Sequence, residues 1–215
     1  MIELSWLLSR GYAETAALKL VGDRHGLRTR QRMAVRRAAC SDESLRLRCA
    51  RRIPLDSLRG ETLLIDAFNL MTTLEAALGG GVVIVCRDGC LRDIQGVHGT
   101  WRRVAETAEV ALGVGRLLME AGLARWVFCL DRPVSNSGRL RKLLLDQGRQ
   151  RGWPVEAVVA DDVDGLLVSS GQVVASADGP VIERARAWVN LARSFVEQSE
   201  RQAFLVDLEV GEDLT

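Results

Sequence analysis

The sequence predicts an α/β protein with a mainly parallel central sheet, preceded by a small helical domain. From residue 61 onward, short apolar segments alternate with segments whose apolar residues recur at helical spacing. Strands that alternate with helices favour parallel pairing, because a helix makes each return crossing. The first 60 residues lack such strands and are rich in arginine. We therefore expect a basic helical domain over residues 1–58 and an α/β domain over residues 59–215.

The helical domain is expected to contain several short helices. Residues 3–22 carry apolar residues at helical spacing, and Gly11 is expected to divide them into two helices. Residues 29–39, TRQRMAVRRAA, predict a basic helix. Ser41 is the expected N-cap of the next helix. Pro54 then breaks the pattern, which places a domain boundary near residues 53–60.

The α/β domain is expected to contain at least five strands, each followed by a helix. The expected strands are 62–66, 82–86, 125–130, 155–159 and 172–176, with a last one within 202–210. The expected helices are 70–78, 100–122, 139–152, 162–169 and 180–198. In parallel sheets of this kind, ligands bind outside the carboxyl ends of the strands.

Composition indicates an ordinary globular protein. Apolar residues make up 47% of the 215 residues and charged residues 27%. No apolar run reaches the roughly 20 residues of a membrane span. The N-terminus, MIELSWLLSRGY, lacks a basic start and a small-residue cleavage site, so we expect a cytoplasmic protein.

The five cysteines are expected to be reduced. A zinc site of Cys86, Cys90 and His98 is a disfavoured alternative, because its spacing matches no common zinc motif.

Charge is distributed unevenly along the chain. Residues 1–60 contain 13 Lys and Arg against 6 Asp and Glu, whereas the remainder contains 16 against 22. A basic segment joined to an acidic body suggests a polyanion-binding part and a cation-binding part. The arginine cluster that includes Arg32 and Arg36 would give salt-sensitive nucleic-acid binding. The alternative is a basic face that docks on the acidic body of the same chain or of another subunit, so a homodimer is also considered.

An acidic residue follows each of the five expected strands. The residues concerned are Asp66, Asp88, Asp131, the group Asp161, Asp162 and Asp164, and Asp178. Any one of them could simply cap a helix, but five in succession favour a shared function. Clustered carboxylates repel one another unless a cation neutralises them, and Mg²⁺ or Mn²⁺ prefers oxygen ligands. Two such ions about 3.5–4 Å apart can activate a water and stabilise the leaving oxygen of a phosphodiester.

Two other enzyme classes are less compatible with the sequence. An aspartyl-nucleophile phosphatase would need a second aspartate two residues after Asp66, where Phe68 stands. A dinucleotide-binding fold would need a third glycine after Gly113 and Gly115, and a preceding strand.

Four segments resemble the PIN-like nuclease superfamily, most closely its NYN and flap-endonuclease-like branch. They are IDAFN, FCLDRPVSNSGRLRKLL, VVADDVDGLL and VVASADGPVIERA, within residues 61–190. The resemblance implies a three-layer sandwich around a parallel sheet and cleavage of nucleic acid with Mg²⁺ or Mn²⁺. The N-terminal stretch LVGDRHGLRTRQRMAVRRA resembles the leading part of a poorly characterised prokaryotic family with the same two-part layout.

The resemblance assigns catalytic and metal-binding roles to individual aspartates. Asp66 matches the first-strand aspartate and Asp178 the late one. Either Asp161 or Asp162 matches the middle acid before a short helix, and the choice between them stays open. Asp131 matches an acid of the flap-endonuclease-like branch, although the glycine context that normally follows it is replaced here by arginine and proline.

The remaining candidates contact substrate in this interpretation. Asn69 would orient a metal ligand or a phosphate. Arg139, Arg141 and Lys142 belong to a helix whose N-terminus suits a phosphate, unless that helix is only a capped surface helix. Glu75, Asp88, Asp93 and His98 have no assigned role, and a loop histidine is the favoured interpretation of His98.

The sequence therefore predicts a metal-dependent nuclease, with RNA favoured over DNA, in which a metal-bound water attacks the phosphorus. The alternative is a nucleic-acid-binding or regulatory module whose PIN-like site is degenerate.

Overall fold

The computed structural model describes residues 1–94 and 100–209. Its N-terminal part, here called the helical region, consists of four helices within residues 1–51. They are α1 (Ile2–Ser9), α2 (Glu14–Arg24), α3 (Thr29–Ala38) and α4 (Asp42–Arg51). Gly11 separates the first two with a positive φ of 77°. The predicted N-cap is confirmed, because Ser41 Oγ accepts a hydrogen bond from the Ser44 backbone N–H at 3.1 Å.

The rest of the described chain, here called the α/β region, begins with the 3₁₀ helix Leu55–Leu58. Its strands are β1 (Thr62–Asp66), β2 (Val82–Val85), β3 (Leu91–Asp93), β4 (Arg125–Asp131), β5 (Val155–Ala160), β6 (Val173–Ala175), β7 (Ala187–Trp188) and β8 (Phe204–Asp207). Its α-helices are α5 (Ala67–Leu78), α6 (Thr107–Glu120), α7 (Ser137–Arg151), α8 (Val163–Ser169), α9 (Gly179–Arg184) and α10 (Leu191–Gln198).

The main sheet has five strands in the order β5-β4-β1-β6-β7. Each neighbouring pair in this sheet is parallel, which confirms the predicted α/β class with a mainly parallel central sheet. In this register Asp66 lies opposite Cys129, and Asp131 lies opposite Ala160. The carboxyl ends of β5, β4, β1 and β6 therefore meet at one edge.

Helices cover the main sheet on both faces. Leu63 and Ile65 point into the larger core, which α5, α6, α7 and α10 complete. Leu64 points the other way, into a smaller core with residues of α8 and α9. Because side chains alternate along a strand, Asp66 shares the face of Leu64 and therefore lies on the side of α8 and α9.

A second sheet of three strands, in the order β3-β2-β8, corrects one prediction. The expected strand 82–86 does not join the main sheet. It turns back at once to pair antiparallel with β3, and it pairs parallel with β8. The turn closes with a hydrogen bond from Cys86 N to Cys90 O at 3.0 Å and uses a positive φ of 74° at Gly89.

The prediction of one helix over 180–198 was also wrong, because this segment contains two helices with a strand between them. The helix α9 ends at Arg184, β7 then adds to the edge of the main sheet, and α10 starts after the cap Asn190. The cause is Trp188, which is fully buried and donates its indole N–H to Arg48 O at 2.8 Å. Trp188 also pairs with Val174 of β6, so the backbone is extended where helical periodicity predicts another turn.

The helical region packs directly on the α/β region. The helix α4 contacts α9, and α3 contacts β2. Ala38 of α3 shares a small core with Ile84 and Cys86. The two regions therefore have a common interior over part of their boundary.

Within residues 1–94 and 100–209, no helix has both the length and the apolar character that crossing a membrane requires.

Candidate functional site

Four adjacent strands of the main sheet carry aspartates to the same edge. Asp66 ends β1, Asp131 ends β4, the pair Asp161 and Asp162 follows β5, and Asp178 follows β6. This placement matches four of the five predicted strand ends. The fifth, Asp88, is elsewhere, because the strand before it belongs to the second sheet.

Asp66 is the most constrained of these side chains. It is 7% exposed, and both of its carboxylate oxygens accept hydrogen bonds. Oδ1 accepts from Asn69 N at 3.2 Å, which caps α5, and Oδ2 accepts from Ser176 Oγ at 3.0 Å. Asn69 Oδ1 in turn accepts from Ala177 N at 2.9 Å. The start of α5 is thus tied to the segment that carries Asp178.

Ser176 is a site residue that the sequence argument missed. It is buried, and its Oγ also accepts from Asp178 N at 3.1 Å. One hydroxyl therefore links Asp66 and Asp178. Its place in the segment VVASAD, two residues before Asp178, was the available signal, because alternate residues of a strand share a face.

Burial raises the pKa of Asp66 to about 7. The hydrogen bonds from Asn69 and Ser176 oppose this shift, and the negative charges of Asp131 and Asp164 add to it. The ionised form of Asp66 is therefore costly in the isolated protein near neutral pH. A cation at this edge would remove that cost.

Replacing Asp66 with asparagine should stabilise the metal-free protein at high pH. A carboxyl group whose folded-state pKa is raised contributes full stability below its unfolded value, and that contribution is lost as pH rises through about 7. Asp66→Asn should thus match wild type near about pH 4 and exceed it by an amount on the order of 4 kcal/mol above about pH 8. Urea unfolding in EDTA across this range would measure the difference, and parallel curves would contradict it.

Asp131 and Asp164 belong to the same electrostatic group. Burial raises the pKa of Asp131, and the charge of Asp162 adds to that shift. Burial also raises the pKa of Asp164, as do Asp178, Asp131 and Asp162, while Arg184 opposes them. Asp164 was absent from the predicted ligands, although its position just after Asp162 places it in the first turn of α8. We call Asp66, Asp131, Asp162, Asp164 and Asp178 the acidic edge.

Besides Asp66, two more members of the acidic edge cap helices, which is the role that a single acid before a helix usually has. Asp162 accepts from Gly165 N at 2.8 Å and caps α8. Asp178 accepts from Val181 N at 3.1 Å and caps α9.

Asp161 and Asp162, between which the sequence left the choice open, have different neighbours. Asp161 pairs with Arg132 at 2.7 Å, and both side chains are exposed. The charge of Asp162 instead contributes to the raised pKa values of Asp131 and Asp164. The arginine that departs from the PIN-like pattern is thus the partner of Asp161.

The acidic edge does not supply a complete set of protein ligands for a metal ion. Among the described residues, no three His, Cys, Asp or Glu side chains are grouped so that they could hold a metal ion. The donor chemistry nevertheless fits Mg²⁺, which usually binds through one or two carboxylates and completes its shell with waters and substrate phosphates. The arrangement suits an ion that is held jointly by the protein and a phosphate.

Two of the three predicted substrate residues of α7 line one groove. Arg139 and Lys142 line it together with Arg103 and Arg151, and its volume is about 590 Å³. Arg141 is directed differently, because its Nε donates to Ala157 O at 3.0 Å.

The two predicted arginines of α3 have acidic partners within the helical region. Arg32 donates to Asp23 at 2.7 Å and to Leu27 O at 2.9 Å, which joins α2 to α3. Arg36 donates to both carboxylate oxygens of Glu14, at 2.7 and 3.3 Å.

Asp88 occupies a buried ion-pair network. It accepts from Arg48 at 2.6 Å and from two nitrogens of Arg92 at 2.6 and 3.0 Å. Burial alone would raise the pKa of Asp88, but the two guanidinium groups lower it to about 2. Arg92 Nε also donates to Ala177 O at 2.7 Å, so the network supports the backbone beside the acidic edge.

The other unassigned residues have partners outside the acidic edge, are buried in the core, or lie outside the described chain. Glu75 faces α6, where it accepts from Thr107 Oγ1 at 2.6 Å and Trp101 Nε1 at 3.3 Å. Asp93 accepts from Arg37 at 3.3 Å. Cys86 and Cys90 are fully buried, and His98 lies outside the described residues.

Comparisons with known proteins name no activity. The model of a family described as "Protein of unknown function (DUF434)" matches residues 1–51. The chain is also similar to "Uncharacterized protein MJ0935" of Methanocaldococcus jannaschii, with 26% identity over 202 residues that cover 93% of this chain and 96% of that protein. No solved structure matches the chain.

A second family model, "Domain of unknown function (DUF5616)", matches residues 55–194, which include all of the acidic edge and more than half of the chain. The chain therefore belongs to this family of unknown function.

Proposed function

We propose that this protein is a metal-dependent nuclease with a PIN-like three-layer architecture, acting on RNA in preference to DNA. The observation that carries the proposal is the delivery of aspartates by four adjacent parallel strands to one edge of the sheet. The raised pKa values of Asp66, Asp131 and Asp164 support it, because burial and then the charges of neighbouring carboxylates make their ionised forms costly. Perturbed carboxylates of this kind concentrate at functional sites.

The residues of the acidic edge would have distinct tasks. Asp66 and Asp178, joined through Ser176, would hold the ion, and Asp131 and Asp162 would complete the negative surface around it. When bound, Mg²⁺ or Mn²⁺ supplies charge neutralisation at the phosphate and lowers the pKa of a coordinated water. Asn69 would steady the arrangement, because its side chain holds Ala177 beside Asp178.

A groove along α7 supports the choice of a nucleic-acid substrate. It presents Arg103, Arg139, Lys142 and Arg151, and among the described residues that line it only Asp146 is acidic. Such a surface attracts a phosphate backbone without reading its sequence.

A cleavage assay tests the proposal. End-labelled single-stranded and structured RNA and DNA would be incubated with wild-type protein in Mn²⁺, Mg²⁺ or EDTA. We expect cleavage that requires metal and that falls sharply in Asp178→Asn. Asp56→Asn is the matched control, because Asp56 is exposed and precedes β1 at the opposite edge of the sheet. Cleavage that persists in EDTA, or that survives in Asp178→Asn, would contradict the proposal.

One observation favours a second candidate, a nucleic-acid-binding module without catalysis. The described residues contain no ready three-ligand group, and Asp161 is occupied by Arg132. Salt-sensitive RNA binding by a folded protein that cleaves nothing in any metal would support this candidate over the nuclease.

A further inference from the structure

A cleft of about 770 Å³ separates the helical region from the acidic edge. One wall belongs to the α/β region and includes Asn69, Asp178 and Gly179. The other belongs to α3 and the start of α4 and includes Arg36 and Arg37. We call this feature the N-terminal cleft. It places two arginines of the helical region across from a member of the acidic edge.

The walls of the N-terminal cleft are held at a fixed separation. Arg48 of α4 pairs with Asp88 and, at 2.6 Å, with Glu183 of α9. The two walls also touch closely, because a Cβ atom at Gly179 would lie 2.4 Å from Arg48 Nη2. The cleft is therefore preorganised, which reduces the entropy that a ligand must lose on binding.

The two arginines differ from the buried pair below them. Arg48 and Arg92 pair with Asp88 and Glu183, and both arginine side chains are hardly exposed. The side chain of Arg36, in contrast, is 60% exposed and its partner Glu14 is 45% exposed. Exposed ion pairs contribute little to stability, so Arg36 can exchange a carboxylate for a phosphate at small cost. Arg37 is 30% exposed and pairs with Asp93.

We propose that the N-terminal cleft binds the phosphate backbone of single-stranded RNA next to the acidic edge, with Arg36 as a direct phosphate contact. This inference rests on the proposed nuclease function and identifies the strand that the site receives. The volume lies in the range of about 300–1,000 Å³ that is typical of ligand pockets, so the cleft has room for one or two nucleotides of a single strand. Phosphate contacts position a substrate without specifying its bases, which suits a cleft with this lining.

Binding measured without metal tests the cleft separately from catalysis. Fluorescence anisotropy of a labelled single-stranded RNA decamer in EDTA would compare wild type with Arg36→Gln. We expect about tenfold weaker binding, and a salt slope smaller by about 0.7, as for the loss of one phosphate contact on a single strand. Arg30→Gln is the matched control, since Arg30 is on the same helix but does not line this cleft, and it should change affinity less than about twofold.

A second variant moves affinity in the opposite direction. Glu14→Gln removes the carboxylate that occupies Arg36 and should tighten binding severalfold. Duplex RNA should bind at least about tenfold more weakly than the single strand to wild type. Three results would each overturn the cleft proposal. They are an equal loss of affinity in Arg36→Gln and Arg30→Gln, unchanged or weaker binding by Glu14→Gln, and equal affinity of the wild type for duplex and single-stranded RNA. Failure of cleavage alone would overturn only the nuclease.

Discussion

Asp66→Asn is expected to reduce metal-dependent cleavage by about 10³-fold or more. A metal ion supplies several kcal/mol of stabilisation to the charge that develops at the phosphate, and about 4 kcal/mol corresponds to a factor of 10³. Asp66 is the buried carboxylate at the centre of the four acid-bearing strands, so an amide in its place weakens the negative charge most directly. Single-turnover cleavage at saturating protein would measure the loss.

The same variant should remain folded, which separates chemistry from stability. An asparagine oxygen can still accept the hydrogen bond from Asn69 N that caps α5. Circular dichroism and urea unfolding would check this, with Asp56→Asn as the control that retains activity. Full cleavage by a folded Asp66→Asn protein would show that the acidic edge is not the reaction centre.

Asp88→Asn is expected to lower the free energy of unfolding by about 3–5 kcal/mol, the usual cost of leaving a buried charge without its partner. Arg92 and Arg48 are almost fully buried, and both donate to the Asp88 carboxylate. An amide would leave the positive charge of Arg92 without its carboxylate partner, while Arg48 would keep its ion pair with Glu183. The loss should be visible in urea unfolding at neutral pH.

The pH dependence of stability gives a second measurement on Asp88. Because the ion pairs lower the pKa of Asp88 to about 2, its contribution is present above the unfolded pKa of about 4. That contribution is lost as pH falls toward about 2. Wild type and Asp88→Asn should therefore converge in acid.

Asp161→Asn provides the matched control for Asp88→Asn. The partner of Asp161 is Arg132, and both side chains are well exposed, so the change should cost less than about 1 kcal/mol. Similar losses in the two variants, or an Asp88→Asn protein as stable as wild type, would show that the buried network contributes no more to stability than an exposed ion pair does.

Local sequence signals predicted several elements because short-range chemistry determines them. The strand β1 was predicted with the residues that it has, since a continuous apolar run ending in an aspartate is typical of a buried parallel strand. The Ser41 cap was predicted because a serine side chain can reach the free N–H groups of the turn that follows it. Four aspartates of the acidic edge, Asp66, Asp131, Asp162 and Asp178, were predicted because each ends its strand or follows it within three residues.

Other features depend on partners that are distant in the chain. The second predicted strand, VVIVC, is a short apolar run like β1. Only its pairing with β3 and β8 assigns it to another sheet. Helical periodicity continues through 180–198, but Trp188 donates a hydrogen bond to the backbone of Arg48 in α4, which is 140 residues earlier in the chain. The burial of Glu75 against Thr107 and Trp101 depends likewise on how α5 meets α6.

The sequence by itself determined the class of fold, the positions of most strands and helices, and the aspartates that follow the strands. Only the tertiary structure decided which of those aspartates share an edge, because adjacency depends on strand order and not on chain order. It brought Asp66 and Asp178 together through Ser176, and it placed Asp88 between two arginines instead. Local patterns report which backbone conformation a segment prefers, whereas the meeting of two charges depends on the packing of the whole chain.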